Sequence, residues 1–304
     1  MKRWTLIPAM LLLSGCALTV SDTRALKPMD SFDLLATLQG CALTVSDPRA
    51  LRPIDSFAPL ASDARIWVEP GYEAYGARVA AALPAAIAKV EAAHYLPFLH
   101  APRVYVCGSE DCFNRFVYTP RLSAAVIPDN RLILSPNLDG RESGRLPGLL
   151  THELAHLHLG QRIGHYNSTL PVWFHEGWAS LTANGGGAEY ATDAQAYAAI
   201  RAGRRVDLSA RDTPDQRHRA RAFGLNIFEF YRESMLLVGW LKAQDEARFR
   251  QLVLAVQNNT DFEIAFSDIY GQSPATRLAG FYEGVPGDAG LNDNGSIQAA
   301  PAKP

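Results

Sequence analysis

The chain has 304 residues, is 48% hydrophobic and carries a formal net charge of −2. This composition supports one sizeable folded core and excludes a wholly disordered protein. The near-neutral charge gives no basic field of the kind that nucleic-acid binding requires, so we expect no nucleic-acid partner.

The N-terminus is organised like a secretory signal. Lys2 and Arg3 precede an apolar run from Trp4 to Leu13, which is too short to span a membrane. The run leads into Leu-Ser-Gly-Cys, which ends at Cys16. These four residues resemble a bacterial lipobox, whose cysteine is lipidated and becomes the first residue after cleavage.

The lipobox predicts where the protein resides. Ala17 follows Cys16, and in two-membrane bacteria a residue other than Asp at this position is typical of sorting to the outer membrane. We therefore expect residues 1–15 to be a signal peptide. The mature protein would then be anchored in the cell envelope by its N-terminal lipid, at the outer membrane and facing the periplasm.

A tandem repeat follows the signal. The sequence Gly-Cys-Ala-Leu-Thr-Val-Ser-Asp occurs at 15–22 and again at 40–47. Two copies are too few for a solenoid, so the repeat predicts a duplicated, flexible tether over residues 16–61. The second copy also contains a lipobox-like Cys41. The stretch before it is acidic and lacks a basic start, so Cys41 is interpreted as a spare thiol or an occasional alternative lipid site.

A folded domain is predicted from residue 62 to residue 285. Residues 65–68 are typical of a first strand, and the alanine-rich stretch 72–94 predicts a helix that Pro84 breaks or kinks. Residues 286–304 are rich in Gly, Asn, Asp, Ala and Pro, which predicts a disordered tail.

Two further cysteines predict a disulfide. Cys107 and Cys112 flank Gly-Ser-Glu-Asp, and a turn at Gly108 would bring them within bonding reach. The bond would join a strand at 104–106 to a helix that begins at Asp111. In a cytosolic protein both would be free thiols, so the expectation depends on the export signal.

The segment from His152 to His156 spells His-Glu-Leu-Ala-His. On a helix, at about 100° per residue, the two histidines differ by only about 40° and can bind one metal ion from consecutive turns. Glu153 falls about 60° beyond His156, where its carboxylate can act as general base on a metal-bound water without binding the metal. Pro147 near the start and Gly160 at the end delimit this predicted helix.

This pattern also occurs by chance in ordinary buried helices. A third metal ligand elsewhere in the sequence is therefore needed to distinguish a metal site from such a helix. His158 points about 140° away from the two histidines, so we expect it to be satisfied by the core or by solvent. The metzincin pattern needs glycine at 159 and histidine at 162, where the chain has Leu159 and Arg162. The remaining candidate is Glu176, in the apolar segment 171–180 that predicts a second helix.

The surroundings of Glu176 carry a family resemblance. Nineteen residues separate His156 from Glu176, which begins the sequence Glu-Gly-Trp-Ala. The two motifs resemble the gluzincins, the thermolysin-like zinc peptidases in which a glutamate on a second helix completes a His/His/Glu site. The resemblance implies one Zn²⁺ held by His152, His156 and Glu176, with Glu153 as general base and a peptide or protein as substrate.

His175 is an alternative ligand next to Glu176. The family often has Asn or a small polar residue at this place, so the chain departs from the pattern here. Adjacent helical residues diverge by about 100°, so only one of the two can bind the metal. We favour Glu176 as the metal ligand. We expect His175 either to hydrogen-bond to one of the metal ligands or to face the substrate.

The resemblance extends to three further segments. Residues 131–135 predict a strand similar to the gluzincin edge strand, along which an extended peptide adds, although a plain hairpin arm fits equally. Residues 228–241 predict a helix similar to the late Tyr-x-x-Ser helix of small gluzincins. Tyr231 would then donate a hydrogen bond to the oxyanion, unless it only packs in the core. In gluzincins, material at the place of the loop 182–187 and of the charged stretch 201–221 can border or cover the cleft, although such a charged stretch is also typical of a solvated face. Residues 246–257 and then 261–282 predict two or three further helices.

The sequence thus predicts an α+β fold, with a small mixed β-sheet followed by a mostly helical, thermolysin-like half. It predicts a lipid-anchored zinc metallopeptidase. Two alternatives stay open, namely a zinc-binding envelope lipoprotein that acts as a binding or scaffold module, and a zinc amidase for cell-wall peptides. The sequence does not identify protein partners or oligomeric state.

Overall fold

The computed structural model describes residues 54–117, 122–127, 131–164, 170–213 and 216–287. Within these ranges the chain forms a five-stranded sheet and nine α-helices. The predicted small mixed sheet followed by a mostly helical half is confirmed. The signal segment, the proposed lipidation site Cys16, and Cys41 lie outside the described residues.

The strands are β1 (Ala58–Leu60), β2 (Asp63–Val68), β3 (Arg103–Val106), β4 (Ala124–Ile127) and β5 (Arg131–Leu134). Their order in the sheet is β1-β2-β3-β5-β4. The three interior strands are parallel, and β1 and β4 run antiparallel to them at the two edges.

The edge strand is not the one that the sequence predicted. All four residues of β5 are buried and the strand lies between β3 and β4, so the assignment of residues 131–135 to the edge is wrong. The alternative of a plain hairpin arm is confirmed, because β5 pairs antiparallel with the preceding strand β4. The edge strand on this side of the sheet, β4, has the sequence Ala-Ala-Val-Ile, which lacks the alternation of polar and apolar residues that marks a half-exposed strand.

The helices are α1 (Glu73–His94), α2 (Glu110–Phe116), α3 (Leu146–Ile163), α4 (Val172–Thr182), α5 (Asp193–Arg201), α6 (Ile227–Gln244), α7 (Glu246–Gln257), α8 (Phe262–Tyr270) and α9 (Pro274–Glu283). The expected break in α1 is absent, because Pro84 lies on the exposed side, where water can solvate the carbonyl that its missing N–H leaves free. Gly160 does not end α3, which continues to Ile163. None of the described helices is long and apolar enough to cross a membrane.

Ordered pairing begins before the predicted domain boundary at Ser62. β1 lies in the stretch assigned to the tether and pairs with β2. Just before β1, the buried Phe57 packs its ring against Tyr105 and Phe116, with centroids 5.3 and 5.6 Å apart. The end of the second repeat copy therefore contributes to the core.

The predicted disulfide between Cys107 and Cys112 is confirmed. It joins the end of β3 to α2, and both cysteines are buried beside Phe113 and Phe116. Ser109 caps α2 by accepting a hydrogen bond from the backbone N–H of Cys112 at 3.1 Å.

The core continues from the sheet into the helices. One apolar cluster joins the sheet to α1 and α3, and a second fills the space among α4 and the helices that follow. α4 and α6 cross closely at Gly177, where an added Cβ would lie only 2.3 Å from the carbonyl oxygen of Ser234. The glycine after Glu176 is therefore required by this helix crossing.

Candidate metal centre

Three side chains from two helices converge on one point. His152 and His156 project from consecutive turns of α3, and Glu176 comes from the first half of α4. Nε2 of His156 lies 3.0 Å from Nε2 of His152. Oε2 of Glu176 lies 3.4 Å from Nε2 of His152 and 3.2 Å from Nε2 of His156.

These separations fit a tetrahedral zinc site. Zinc bonds of about 2.0–2.1 Å place neighbouring tetrahedral ligands about 3.3 Å apart. The three separations lie between 3.0 and 3.4 Å. Two imidazole nitrogens and one carboxylate are also a donor set that catalytic zinc sites use, with the fourth position left open. The buried His152, His156 and Glu176 group could therefore hold a metal ion.

The other ring nitrogens have partners that orient both histidines. Nδ1 of His152 lies 3.0 Å from the carbonyl oxygen of Gly186. A carbonyl can only accept, so Nδ1 donates its proton and leaves a lone pair on Nε2. Nδ1 of His156 lies 2.9 Å from Nε2 of His175. With Nδ1 of His156 as donor in this pair, its Nε2 likewise presents a lone pair to the site.

The electrostatics of Glu176 favour its ionised form. Burial by itself would raise the pKa of Glu176, but His156 and His152 outweigh it and hold that pKa well below its usual range. An ionised carboxylate among imidazole lone pairs is the charge distribution that a divalent cation stabilises.

Glu153 lies beside this group without belonging to it. Burial raises the pKa of Glu153, and the opposing influences include both site histidines and a backbone hydrogen bond from Val126. Val126 is in the edge strand β4, so the carboxylate lies between the candidate metal centre and the open edge of the sheet.

The ring of Tyr231 lies next to His152. Its ring centroid lies 6.3 Å from that of His152. Burial raises the pKa of Tyr231, and the nearby carboxylates of Glu176 and Glu153 raise it further. The phenol is therefore protonated at neutral pH and is available as a hydrogen-bond donor.

His158 lies outside the group, as its direction on the helix predicted. Nδ1 of His158 is 3.0 Å from Nδ1 of His94, and its Nε2 is 2.9 Å from the carbonyl oxygen of Leu96. Burial lowers the pKa of His158 to about 4, so it is a neutral core histidine.

The described part of the arginine-rich stretch contacts the start of α4. Asp212 accepts a hydrogen bond from the backbone N–H of Val172 at 2.8 Å, and Arg217 donates to the carbonyl of Leu170 at 3.0 Å. Both side chains are largely buried. Most other described residues of the stretch are exposed, so it is largely a solvated face that two side chains fasten to the start of α4.

Sequence reasoning missed Val126 as a neighbour of the site, and it placed the loop 182–187 at the border of the cleft without assigning a contact to Gly186 or Gly187. The glycine run at 185–187 was the available signal for the last two. Val126 carried none, because it acts through its backbone.

Known proteins give no further guide to this centre. No protein family, curated protein or solved structure matches the chain. The geometry of the centre and the chemistry of its donor atoms therefore carry the functional argument.

Proposed function

We propose that the chain is a zinc-dependent metallopeptidase of gluzincin type, anchored by an N-terminal lipid in the bacterial envelope, at the outer membrane and facing the periplasm. The observation that carries this proposal is the convergence of His152, His156 and Glu176 with a separate half-buried carboxylate, Glu153, beside them. A structural metal site uses all its ligand positions, whereas three protein ligands and an adjacent base suit hydrolysis.

Zinc, when bound, would polarise a peptide carbonyl and lower the pKa of coordinated water towards about 7. Glu153 would accept the proton of the attacking water and return it to the leaving amine. Burial raises the pKa of Glu153, which makes its carboxylate a stronger proton acceptor.

Two further groups would hold the substrate. An extended peptide can add to the outer side of β4 through backbone hydrogen bonds, and Val126 of this strand already contacts Glu153. The phenol of Tyr231 would donate a hydrogen bond to the oxygen of the carbonyl under attack. These contacts would align the scissile bond with the base.

The experiment combines metal analysis with digestion of an unstructured protein such as casein. Wild-type protein should contain one zinc per chain and cleave casein, and Glu153→Gln should keep the zinc and lose cleavage. Loss of cleavage by roughly 10²-fold or more is the size expected for a general base.

Three other results would contradict the proposal. A zinc-loaded wild type that cleaves no peptide bond would favour the scaffold alternative. Cleavage confined to cell-wall peptides would favour the amidase alternative. A wild type that binds no zinc would remove the metal centre altogether.

A further inference from the structure

The segment from Ala183 to Asp193, here called the glycine strap, passes directly behind His152. It runs from the end of α4 to Asp193, the first residue of α5, and carries Gly186, whose carbonyl oxygen lies 3.0 Å from Nδ1 of His152. The hydroxyl of Ser180 is a second, longer neighbour of the same nitrogen at 3.4 Å. The strap is thus the nearest partner of His152 on the side away from Glu176.

The strap fits the ring so closely that a side chain is excluded. At Gly187 an added Cβ would lie 2.6 Å from Nδ1 and 2.7 Å from Cε1 of His152. At Gly186 it would lie 2.5 Å from the carbonyl of Gly148 on α3. The strap therefore occupies the space between α3 and the imidazole, and it fixes where the ring can lie.

Two ion pairs tie the strap to the neighbouring helices. Arg145, at the start of α3, binds Glu189 at 2.6 Å, and Arg232 of α6 binds Asp193 at 2.5 Å. These four side chains line a polar cavity of about 490 Å³ beside the strap. The ion pairs act together with the buried Ala188 and Ala191, and with the backbone N–H of Gly185, which donates to the carbonyl of Ser180 at 2.8 Å, to hold the strap in place.

We propose that the glycine strap is the positioning element of His152, setting both its tautomer and its direction. The carbonyl of Gly186 keeps the proton on Nδ1, Gly187 stops the ring from rotating away, and the two ion pairs hold the strap in place. Metal affinity then depends on residues that never contact the metal. This inference rests on the zinc site proposed above.

The sharpest test compares Gly187→Ala with Gly203→Ala. Both glycines have positive φ, +85° and +79°, but a Cβ at Gly203 meets no atom within 4 Å. The two variants therefore share the backbone penalty, and only Gly187→Ala disturbs His152. Competition with a chelator should show zinc affinity roughly 10- to 100-fold weaker in Gly187→Ala, and unchanged in Gly203→Ala.

A second readout needs no metal. Imidazole ¹⁵N NMR of zinc-free protein at pH 8 should show His152 with its proton on Nδ1 in the wild type and in Gly203→Ala. In Gly187→Ala the proton should be distributed over both nitrogens. A wild type without zinc affinity would overturn the peptidase proposal, whereas the tautomer comparison would still decide the role of the strap.

Asp193→Asn serves if Gly187→Ala does not fold. It removes one anchor and leaves the glycines intact, and zinc should bind roughly two- to fivefold more weakly. Asp63→Asn is its control, because it breaks the Arg65–Asp63 pair in β2, which contributes no residue to the site. The inference is overturned if the zinc affinity and the His152 tautomer stay at wild-type values in every strap variant that folds.

Discussion

Nδ1 of His156 lies 2.9 Å from Nε2 of His175, which precedes Glu176 on the neighbouring helix. One helical turn of α4 thus provides both a carboxylate for the candidate metal centre and the partner of a histidine on α3. The two adjacent residues point in directions about 100° apart on the helix. Glu176 can therefore face the metal position while His175 contacts the ring of His156. This arrangement agrees with the prediction that His175 supports a ligand.

Replacing Glu176 and replacing His175 by alanine should affect zinc binding differently. Glu176→Ala should abolish stoichiometric zinc binding, because it deletes one of three protein donors. His175→Ala should still bind one zinc, roughly 10- to 100-fold more weakly, because only the orientation of His156 is lost. Zinc titration against a chelating dye measures both. His100→Ala, at an exposed histidine, is the control. If His175→Ala abolished zinc binding and Glu176→Ala only weakened it, His175 would be the metal ligand instead.

Tyr231→Phe should reduce kcat by roughly 10²-fold with little change in KM, since one donor to the developing oxyanion is lost. Zinc content should not change. The matched control is Tyr270→Phe on α8, whose hydroxyl is buried without a hydrogen-bond partner among the described residues. Steady-state kinetics on a peptide substrate would decide, and wild-type turnover in Tyr231→Phe would leave the residue with a packing role.

The raised pKa of the Glu233 carboxyl group predicts that the free energy of unfolding depends on pH, independently of catalysis. It is fully buried on α6, where Oε1 accepts hydrogen bonds from the Val206 backbone at 2.8 Å and the Tyr282 hydroxyl at 2.9 Å. Burial raises the pKa of Glu233 from 4.5 to about 7. The folded state therefore holds this proton more tightly than the unfolded state does.

The stabilising contribution of protonated Glu233 is complete below pH 4.5 and is lost as the pH rises towards 7. Glu233→Gln keeps the acceptor oxygen and cannot ionise. Its free energy of unfolding should match that of the wild type near pH 4 and exceed it by about 3 kcal/mol at pH 8. Urea unfolding at the two pH values measures this. A difference between the proteins that does not change with pH would contradict the prediction.

The disulfide should stabilise the fold modestly. Cys107 and Cys112 are only five residues apart in sequence, and closing so short a loop removes little entropy from the unfolded chain, worth about 2 kcal/mol. Reductant should lower the free energy of unfolding of the wild type by that amount. Cys107→Ala/Cys112→Ala should not respond to reductant, and an unresponsive wild type would show that the bond does not form in solution.

Much of the fold follows from local patterns. The helix from 246 to 257 was predicted to the residue, and the stretch 72–94 corresponds to α1 within one residue. Such elements depend on periodicity and end signals, which are properties of neighbouring residues. Among the errors are the break expected at Pro84 and the edge strand. Each depended on which side of an element faces solvent or another strand, and that is a property of the assembled fold.

The sequence by itself determined that His152 and His156 share a helix face, because helical geometry follows directly from their spacing. Through motif spacing it also singled out Glu176 as the third donor. Only the tertiary structure decided that the carbonyl of Gly186 holds His152, that the backbone of Val126 holds Glu153, and that His156 is the ligand which His175 supports. Two of these act through backbone atoms, which every residue carries, so no sequence pattern distinguishes them until the chain is folded.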